Sequence, residues 1–525
     1  LAEAALAFGP VEYFWLAVFG LSLIAALSQG DFLKGLIGAC LGLLLSTVGV
    51  SETSAEVRFT LGSTTLIGGI EVVSALIGLY CVPVLIDLVA TPERHLKAPE
   101  RPRGFRLPEA LAALGRNRFN VLRSSVIGTL VGALPGAGGS VAGLVAYSEA
   151  RRSGRGEPAY GEGNPGGIVA TESANNATVG GGFIPTLVLG IPGTPPDAVI
   201  LGALLVQGVR TGPALFAEGG GVVYTFIFGL LLATVLMLPI GLLIGRFAYG
   251  AIVQAPKAAL VPIVAFMTVI GSFAIRNNTA DVAMMVALGA LGWAMARRGF
   301  SVSPVVLGLI LGSIAEQGFV QSWTIGDAIG DLWGQFFGRP LSLAIIAMIV
   351  VTFCYPFVPL VRARLAGQRP ERGQRAPLAA LTPDLVAYAG FAGVAGVVLW
   401  QTQSLNPEAA VFPATVALAM LGATLTAGGR ALALRPTQTA PAPGSWLRRA
   451  SVPAAMLAAA LALPWLGFAL TGLALALVLI MPALHARPST RALAALIIGV
   501  ALTVLAFVYG FREVLAVPLP MGRLW

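Results

Sequence analysis

The chain has 525 residues, 56% of them hydrophobic and only 11% charged, whereas a soluble globule of ordinary composition carries about 25% charged residues. A water-soluble enzyme or binding module is therefore excluded. The net charge of +9 does not indicate nucleic acid either, because the basic residues stand in short loops between apolar runs rather than along one helix face.

Apolar runs of about 17 to 25 residues, each long enough to cross a bilayer as a helix, recur from Val11 to Tyr509. The expected fold is an all-α polytopic membrane protein. Lys and Arg mark the loops on the cytoplasmic side. The clusters Arg94 to Arg123, Arg151/Arg152/Arg155, Arg246/Lys257, Arg297/Arg298, Arg362 to Arg375, Arg430 to Arg449 and Arg487/Arg491 are thus assigned inside. Spans over Tyr224 to Gly245, Lys257 to Ile275, Asp281 to Ala296, Val302 to Ala315 and Leu341 to Val361 alternate correctly between these marks.

The stretch Ser124 to Tyr147 breaks the alternation, since basic clusters flank it on both sides. A re-entrant hairpin that turns at Pro135-Gly136-Ala137-Gly138-Gly139 removes the conflict. The next region, Gly166 to Gly208, then crosses as a discontinuous helix, with breaks expected around Asn175 to Gly182 and Pro192 to Pro196.

From Gln368 to Pro383 the composition turns to Gln, Arg, Pro and Gly, which reads as an exposed cytoplasmic linker. It divides a region 1–367 from a region 384–525. Beyond it come four or five shorter spans, near Leu385 to Trp400, Val411 to Thr426, Val452 to Leu463, Phe468 to Leu484 and Ala494 to Tyr509, with a Pro-rich loop at Arg435 to Pro443. They read as an accessory membrane module.

Broken backbone is tolerated in hydrocarbon only where it is buried in protein or lines a polar cavity, so the Gly/Pro breaks mark a transport site. The half-helix N-termini they create carry partial positive charge and suit an anion, while freed carbonyls suit a cation. The candidate substrate- or ion-binding residues are Pro135, Gly136, Gly138, Gly139, Ser140, Glu172, Ser173, Asn175, Asn176, Pro192, Gly193 and Thr194. A carboxylate with a coupling Na⁺ near Asn175 and Asn176 fits this inventory. Close helix packing is the competing reading of the glycines. Glu172, the one ionisable residue in the central run, reads equally as a proton or cation carrier and as a helix-start acid. Asp197 and Asp281 read as interfacial caps. Cys40, Cys81, Cys354, His95 and His485 lack metal-ligand spacing, so no resident metal, cofactor or catalytic residue is expected.

These motifs resemble one known family. Gly132 to Gly138 (Gly-Ala-Leu-Pro-Gly-Ala-Gly), Ala146-Tyr147, Gly161-Glu162-Gly163, Glu172 to Ala177, Ile184 to Leu187 and Gly190 to Gly193 are similar to the large permease subunit of the tripartite tricarboxylate transporters, the TctA family. Phe8 to Phe14 and Arg58 to Gly62 extend the likeness over about Leu1 to Leu365. Phe412-Pro413 and Val517 to Gly522 resemble the small membrane subunit, the TctB family. The resemblance implies a fusion of the two membrane components. The family's large subunit resembles two related halves, each with its own Pro-Gly break, and only the later copy is found here, so the resemblance also implies that the region 1–367 lacks its N-terminal half-repeat. Function follows as expectation: ion-driven secondary uptake of a di- or tricarboxylate across the bacterial inner membrane, coupled to Na⁺ or H⁺ and dependent on a periplasmic solute-binding protein, without nucleic acid. The alternatives are an intramembrane enzyme using Glu172 and a passive anion channel.

Overall fold

A computed structural model describes residues 9–27, 32–91, 107–133, 138–153, 160, 162–190, 194–209, 211–212, 215, 220–354, 378–434, 444–485 and 488–523. Among them, nine helices are long and apolar enough to cross a membrane, and the only strands are a two-residue antiparallel pair, β1 (Gly49–Val50) and β2 (Val57–Arg58). The protein is an all-α polytopic membrane protein. Contacts divide it into two compact units, Leu1–Gly69 with Gly104–Thr234 and Gly299–Gln438, and Ile70–Arg103 with Val235–Arg298 and Thr439–Trp525.

The frame of the first unit is α1 (Pro10–Leu27), α2 (Phe32–Ser46), α12 (Ser303–Ile329), α13 (Leu332–Phe337), α14 (Pro340–Cys354), α15 (Leu378–Thr402) and α16 (Pro407–Leu434). Small residues let backbones meet without a hydrophobic driving force between helices. Gly42 of α2 lies against the backbone of Val305 and Gly308 of α12 against that of Ala39 and Leu43. Around this seam Phe319 packs on Phe14, Phe336 and Phe412, with ring centroids 5.0, 5.4 and 5.8 Å apart.

Charges enter this frame in pairs, as a low-dielectric interior requires. Glu12, fully buried, accepts from the Gly9 N–H, Arg339 Nη1 and Ser342 Oγ, each at 2.8 Å. Arg58 donates to Glu316 Oε2 at 2.6 Å, to the Thr47 carbonyl at 3.0 Å and to the Ala409 carbonyl at 2.8 Å. Lys34 Nζ stands 3.6 Å from Asp384 and 5.0 Å from the centre of the Phe300 ring.

The second unit contains α3 (Val72–Ala90), α10 (Lys257–Arg276), α11 (Thr279–Ala296), α17 (Trp446–Ala483) and α18 (Thr490–Tyr509). Its core joins Val82, Ile86, Phe266, Met285, Met456 and Leu479 from four of these helices. At 38 residues, α17 is about 57 Å long at 1.5 Å per residue, too much for one crossing. It breaks at Gly467, whose φ of 77° and ψ of 170° are outside helical space. The Arg448 guanidinium donates to the Pro482 carbonyl at 3.2 Å, so the arms fold back as a hairpin. They account for the two spans expected over Val452 to Leu463 and Phe468 to Leu484. The C-terminal segment closes the break: Phe468 N–H donates to the Pro520 carbonyl at 2.9 Å and Arg523 N–H to the Pro464 carbonyl at 3.1 Å.

One end of this unit carries Lys257 and Arg297. Lys257 Nζ donates to the Thr91 carbonyl at 2.8 Å, Trp293 Nε1 to Asp87 at 3.1 Å, and Arg297 lies over the Trp293 ring. At the other end of α10, Arg276 and Asp281 pair at 2.6 and 3.0 Å across the turn into α11.

The remaining helices are α4 (Leu107–Arg116), α5 (Arg118–Gly132), α6 (Gly138–Ser153), α7 (Pro165–Leu189) and α8 (Pro195–Val206) in the first unit, and α9 (Gly220–Gln254), which is shared by the two stretches. Three expectations change. The break expected at Asn175 to Gly182 does not exist: α7 is one helix through that stretch. The span expected over Val302 to Ala315 continues to Ile329. Leu378 to Pro383, read as linker, open α15, while the rest of the linker and the loop 435–443 lie outside the described residues.

Candidate functional site

The candidate residues sit on a three-helix cluster of α5, α6 and α7. Helix α7 starts with Asn164 as N-cap, its side chain accepting from the Gly166 N–H at 2.8 Å, and with Pro165 at the first helical position, both standard start signals. It ends at Gly190, which takes the left-handed conformation at φ 70° that favours glycine.

Helix α5 runs parallel to α7. Gly128 lies on Ala174, Gly132 on Thr178 and Gly181 on the turn from Thr129 to Ala133. Each contact is backbone against backbone, so an added Cβ has no room. This is why α7 stays unbroken through Gly180-Gly181-Gly182: the glycines and Ala174 form the surface α5 needs, and helix–helix contact outweighs their poor helix propensity.

Helix α6 runs the opposite way. Its last turn meets the start of α5, where Arg123 Nη1 donates to Ser153 Oγ, and Tyr147 packs on Gly167. The arms of the expected hairpin thus join at their outer ends, with 15 and 16 residues rather than about ten each.

The N-terminus of α6 opens part-way along α7. Gly139 faces the Asn175 side-chain oxygen and, 3.3 Å from where its Cβ would be, Thr178 Oγ1. Asn175 lies ten residues past the start of α7, about 15 Å along its axis. Free N–H groups at such an end carry partial positive charge, and Asn175 and Thr178 add neutral donors and acceptors. Two turns further on, α8 begins with Asp197, which is 3% exposed and directed at Gly182. The start of α8 therefore already has a carboxylate beside it, whereas among the described residues the start of α6 meets the neutral Asn175 and Thr178.

The structure brings together Gly139, Asn175 and Thr178, with Gly138 and Ser140 in the first turn of α6. Glu172 and Asn176 share the exposed face of α7 with Asn175, and the Asn176 amide donates to the Glu172 carbonyl at 2.9 Å. Glu172 is thus on the open side of a long helix, not at a helix start. Ser173 is half-buried, and Thr194 precedes the first turn of α8. Pro135, Gly136, Pro192 and Gly193 lie outside the described residues. The burial of Asp197 is the feature the sequence does not show. An acid in the first turn after Pro195-Pro196 has the pattern of an ordinary exposed cap, and only the close approach of Gly182 reveals otherwise.

A multi-pass α-helical membrane protein, with one helix end opening onto neutral polar side chains inside a helical cluster, is the class that fold and site define. The family model described as Tripartite tricarboxylate transporter TctA family matches residues 1–307, and the Tripartite tricarboxylate transporter TctB family matches residues 378–520. The chain belongs to the tripartite tricarboxylate transporter TctA family and carries a TctB-family region after it. Two proteins of Agrobacterium vitis are similar. The "Uncharacterized 52.8 kDa protein in TAR-I ttuC' 3'region" is 32% identical over 69% of this chain and 71% of its own length. The "Uncharacterized protein in TAR-II ttuC' 3'region" is 31% identical over 45% of this chain and 96% of its own. No solved structure matches the chain significantly. The TctB-matched stretch is not one compact body: α15 and α16 belong to the first unit, α17 and α18 to the second.

Proposed function

We propose that this protein carries out secondary active uptake of a di- or tricarboxylate across the bacterial inner membrane, driven by a Na⁺ or H⁺ gradient and supplied by a periplasmic solute-binding protein. The observation that carries the reading is the N-terminus of α6, opening onto Asn175 and Thr178 halfway along α7 in a chain whose families are transporter components. A helix N-terminus without a buried lysine holds a carboxylate by backbone N–H groups and dipole, and releases it again because no full countercharge stands there among the described residues. Gly138, Gly139 and Ser140 bring the donors, and Asn175 and Thr178 complete the polar wall. The segments with Pro135, Gly136, Pro192 and Gly193 are assigned to the same site, with Thr194 at its α8 side. Glu172, Ser173 and Asn176 border it on α7, where a coupling Na⁺ or H⁺ is placed.

The test is uptake of radiolabelled succinate and citrate by the full chain in proteoliposomes, with candidate solute-binding proteins added to the periplasm-equivalent outer side. Asn175→Ala is expected to weaken apparent substrate or ion affinity by about 1–3 kcal/mol, the cost of removing a partner from a charged or buried polar group. Asn176→Ala has a smaller effect, because its amide is bonded within its own helix. An Asn175→Ala variant with the uptake of an exposed control, Leu425→Ala, moves the site elsewhere. Uptake that persists after both gradients are collapsed identifies a channel.

A further inference from the structure

A cleft of about 680 Å³ opens where α5 begins and α6 ends, one full arm of the hairpin away from Gly139. Its polar lining includes Arg116, Asn120, Arg123, Ser153 and Tyr160, and among the described residues no acidic side chain lines it. Arg123 is held in place: Nη2 donates to Asn120 Oδ1 at 2.8 Å and Nη1 to Ser153 Oγ, while its buried Nε has no hydrogen-bond partner among the described residues. Asn120 is fixed in turn, its amide donating to the Gly166 carbonyl at 2.8 Å. The nearby acid Glu149 pairs with Arg152 at 3.0 Å, so it does not neutralise Arg123. The result is a positioned guanidinium with a second arginine lining the same cleft, which suits a phosphate ester.

One apolar stripe lines this cleft and a second lies on the preceding helix. Down α5, Phe119, Leu122, Val126 and Leu130 follow one face at helical spacing and are 75%, 64%, 51% and 66% exposed. On α4, Leu107, Leu111 and Leu114 share a face, and no residue of that helix is buried. An amphipathic helix of this kind lies in the membrane interface with its apolar face down. Its C-terminal Arg116 is then at headgroup level, and the α5 stripe faces acyl chains. Basic pockets between helices at this level bind anionic headgroups.

We propose that this cleft binds an anionic phospholipid, with the headgroup phosphate on Arg116 and Arg123 and an acyl chain along Phe119, Leu122 and Val126. A soluble carboxylate would account for the arginines but not for the contiguous apolar track. The site does not depend on the transport reading above.

Native mass spectrometry of the full chain, released from micelles containing equal amounts of phosphatidylglycerol and phosphatidylcholine with identical chains, tests it. Wild type is expected to retain phosphatidylglycerol selectively. The double variant Arg116→Gln/Arg123→Gln is expected to lose about 30-fold in apparent affinity, from the usual contribution of two basic residues near an anionic surface. A charge-matched control, Arg430→Gln/Arg491→Gln, retains it. Leu122→Ser/Val126→Ser, which leaves the charges untouched, lowers retention of both lipids at this site. Equal phosphatidylglycerol retention by wild type and the Arg116/Arg123 variant overturns the proposal. So does displacement of the lipid by millimolar citrate or inorganic phosphate, which would make the cleft a site for free anions.

Discussion

The seam between α2 and α12 and the seam between α5 and α7 are built alike and end up with different properties. In both, glycines remove the side chains between two parallel helices until the backbones touch. Beside the first seam the polar groups are full charges, each matched by its opposite, as in Arg58 with Glu316 and Glu12 with Arg339. Beside the second, at the start of α6, the described groups are the neutral Asn175 and Thr178, and the buried acid Asp197 stands further along, against Gly182. Glycine density therefore identifies neither a packing seam nor a site; the chemistry bordering the glycines does.

The largest effect should come from breaking the matched charges. Both side chains of the Arg58–Glu316 pair are almost fully buried, so Glu316→Leu leaves an uncompensated guanidinium and is expected to cost about 3–5 kcal/mol of stability. Adding Arg58→Met should restore most of it. Unfolding in mild detergent followed by circular dichroism gives both numbers, and an additive double variant would show that the charges do not act as a pair.

A second, intermediate effect separates the two roles of glycine within α5–α7. Gly132→Val forces a side chain into the Thr178 backbone and should lower stability by about 1–3 kcal/mol, the usual cost of overpacking. Gly139→Val meets side-chain atoms of Asn175 and Thr178 instead. It should leave the melting temperature nearly unchanged while abolishing most succinate or citrate uptake. If the two variants lose stability and uptake in the same proportion, the start of α6 is one more packing contact.

The smallest effect concerns the basic end of the second unit. Burial lowers the His485 imidazole below its ordinary pKa, and the nearby Arg448 and Lys257 add to this against the opposing carbonyl of Ala483. Its neutral form is thus the one the fold prefers. The associated stability is present above about pH 6.5, the unperturbed value, and is lost as pH falls through the lower folded value. Acidification from pH 7.5 to 5.5 should reduce the melting temperature of the wild type slightly more than that of His485→Gln.

Much of the architecture was legible because the solvent is a bilayer. Apolar length gave the spans from Lys257 to Ile275 and from Asp281 to Ala296 nearly to the residue. Basic residues on both sides of Ser124 to Tyr147 gave the hairpin whose outer ends Arg123 and Ser153 join. The misreading of Asn175 to Gly182 as a break has a definite cause: weak helix formers signal a break only if no neighbouring helix requires them, and that neighbour, α5, is far back in the sequence. For the same reason the helix-start alternative for Glu172 falls away, since the face of an unbroken helix decides its exposure. The Arg58–Glu316 and Glu12–Arg339 pairs were illegible because their partners are 258 and 327 residues apart.

The three-stretch construction of the second unit bears on how the protein is made. Helix α3 is translated well before the α17 hairpin that covers it, and the break in that hairpin is closed only by Pro520 and Arg523. During most of synthesis α3, α10 and α11 are inserted with an open flank facing lipid or an insertion factor. Domains translated contiguously fold as they emerge; this one has to wait for Pro520 and Arg523. Ribosome stalling before Pro520 emerges should therefore leave the second unit sensitive to protease while the frame of α1, α2 and α12 is already closed.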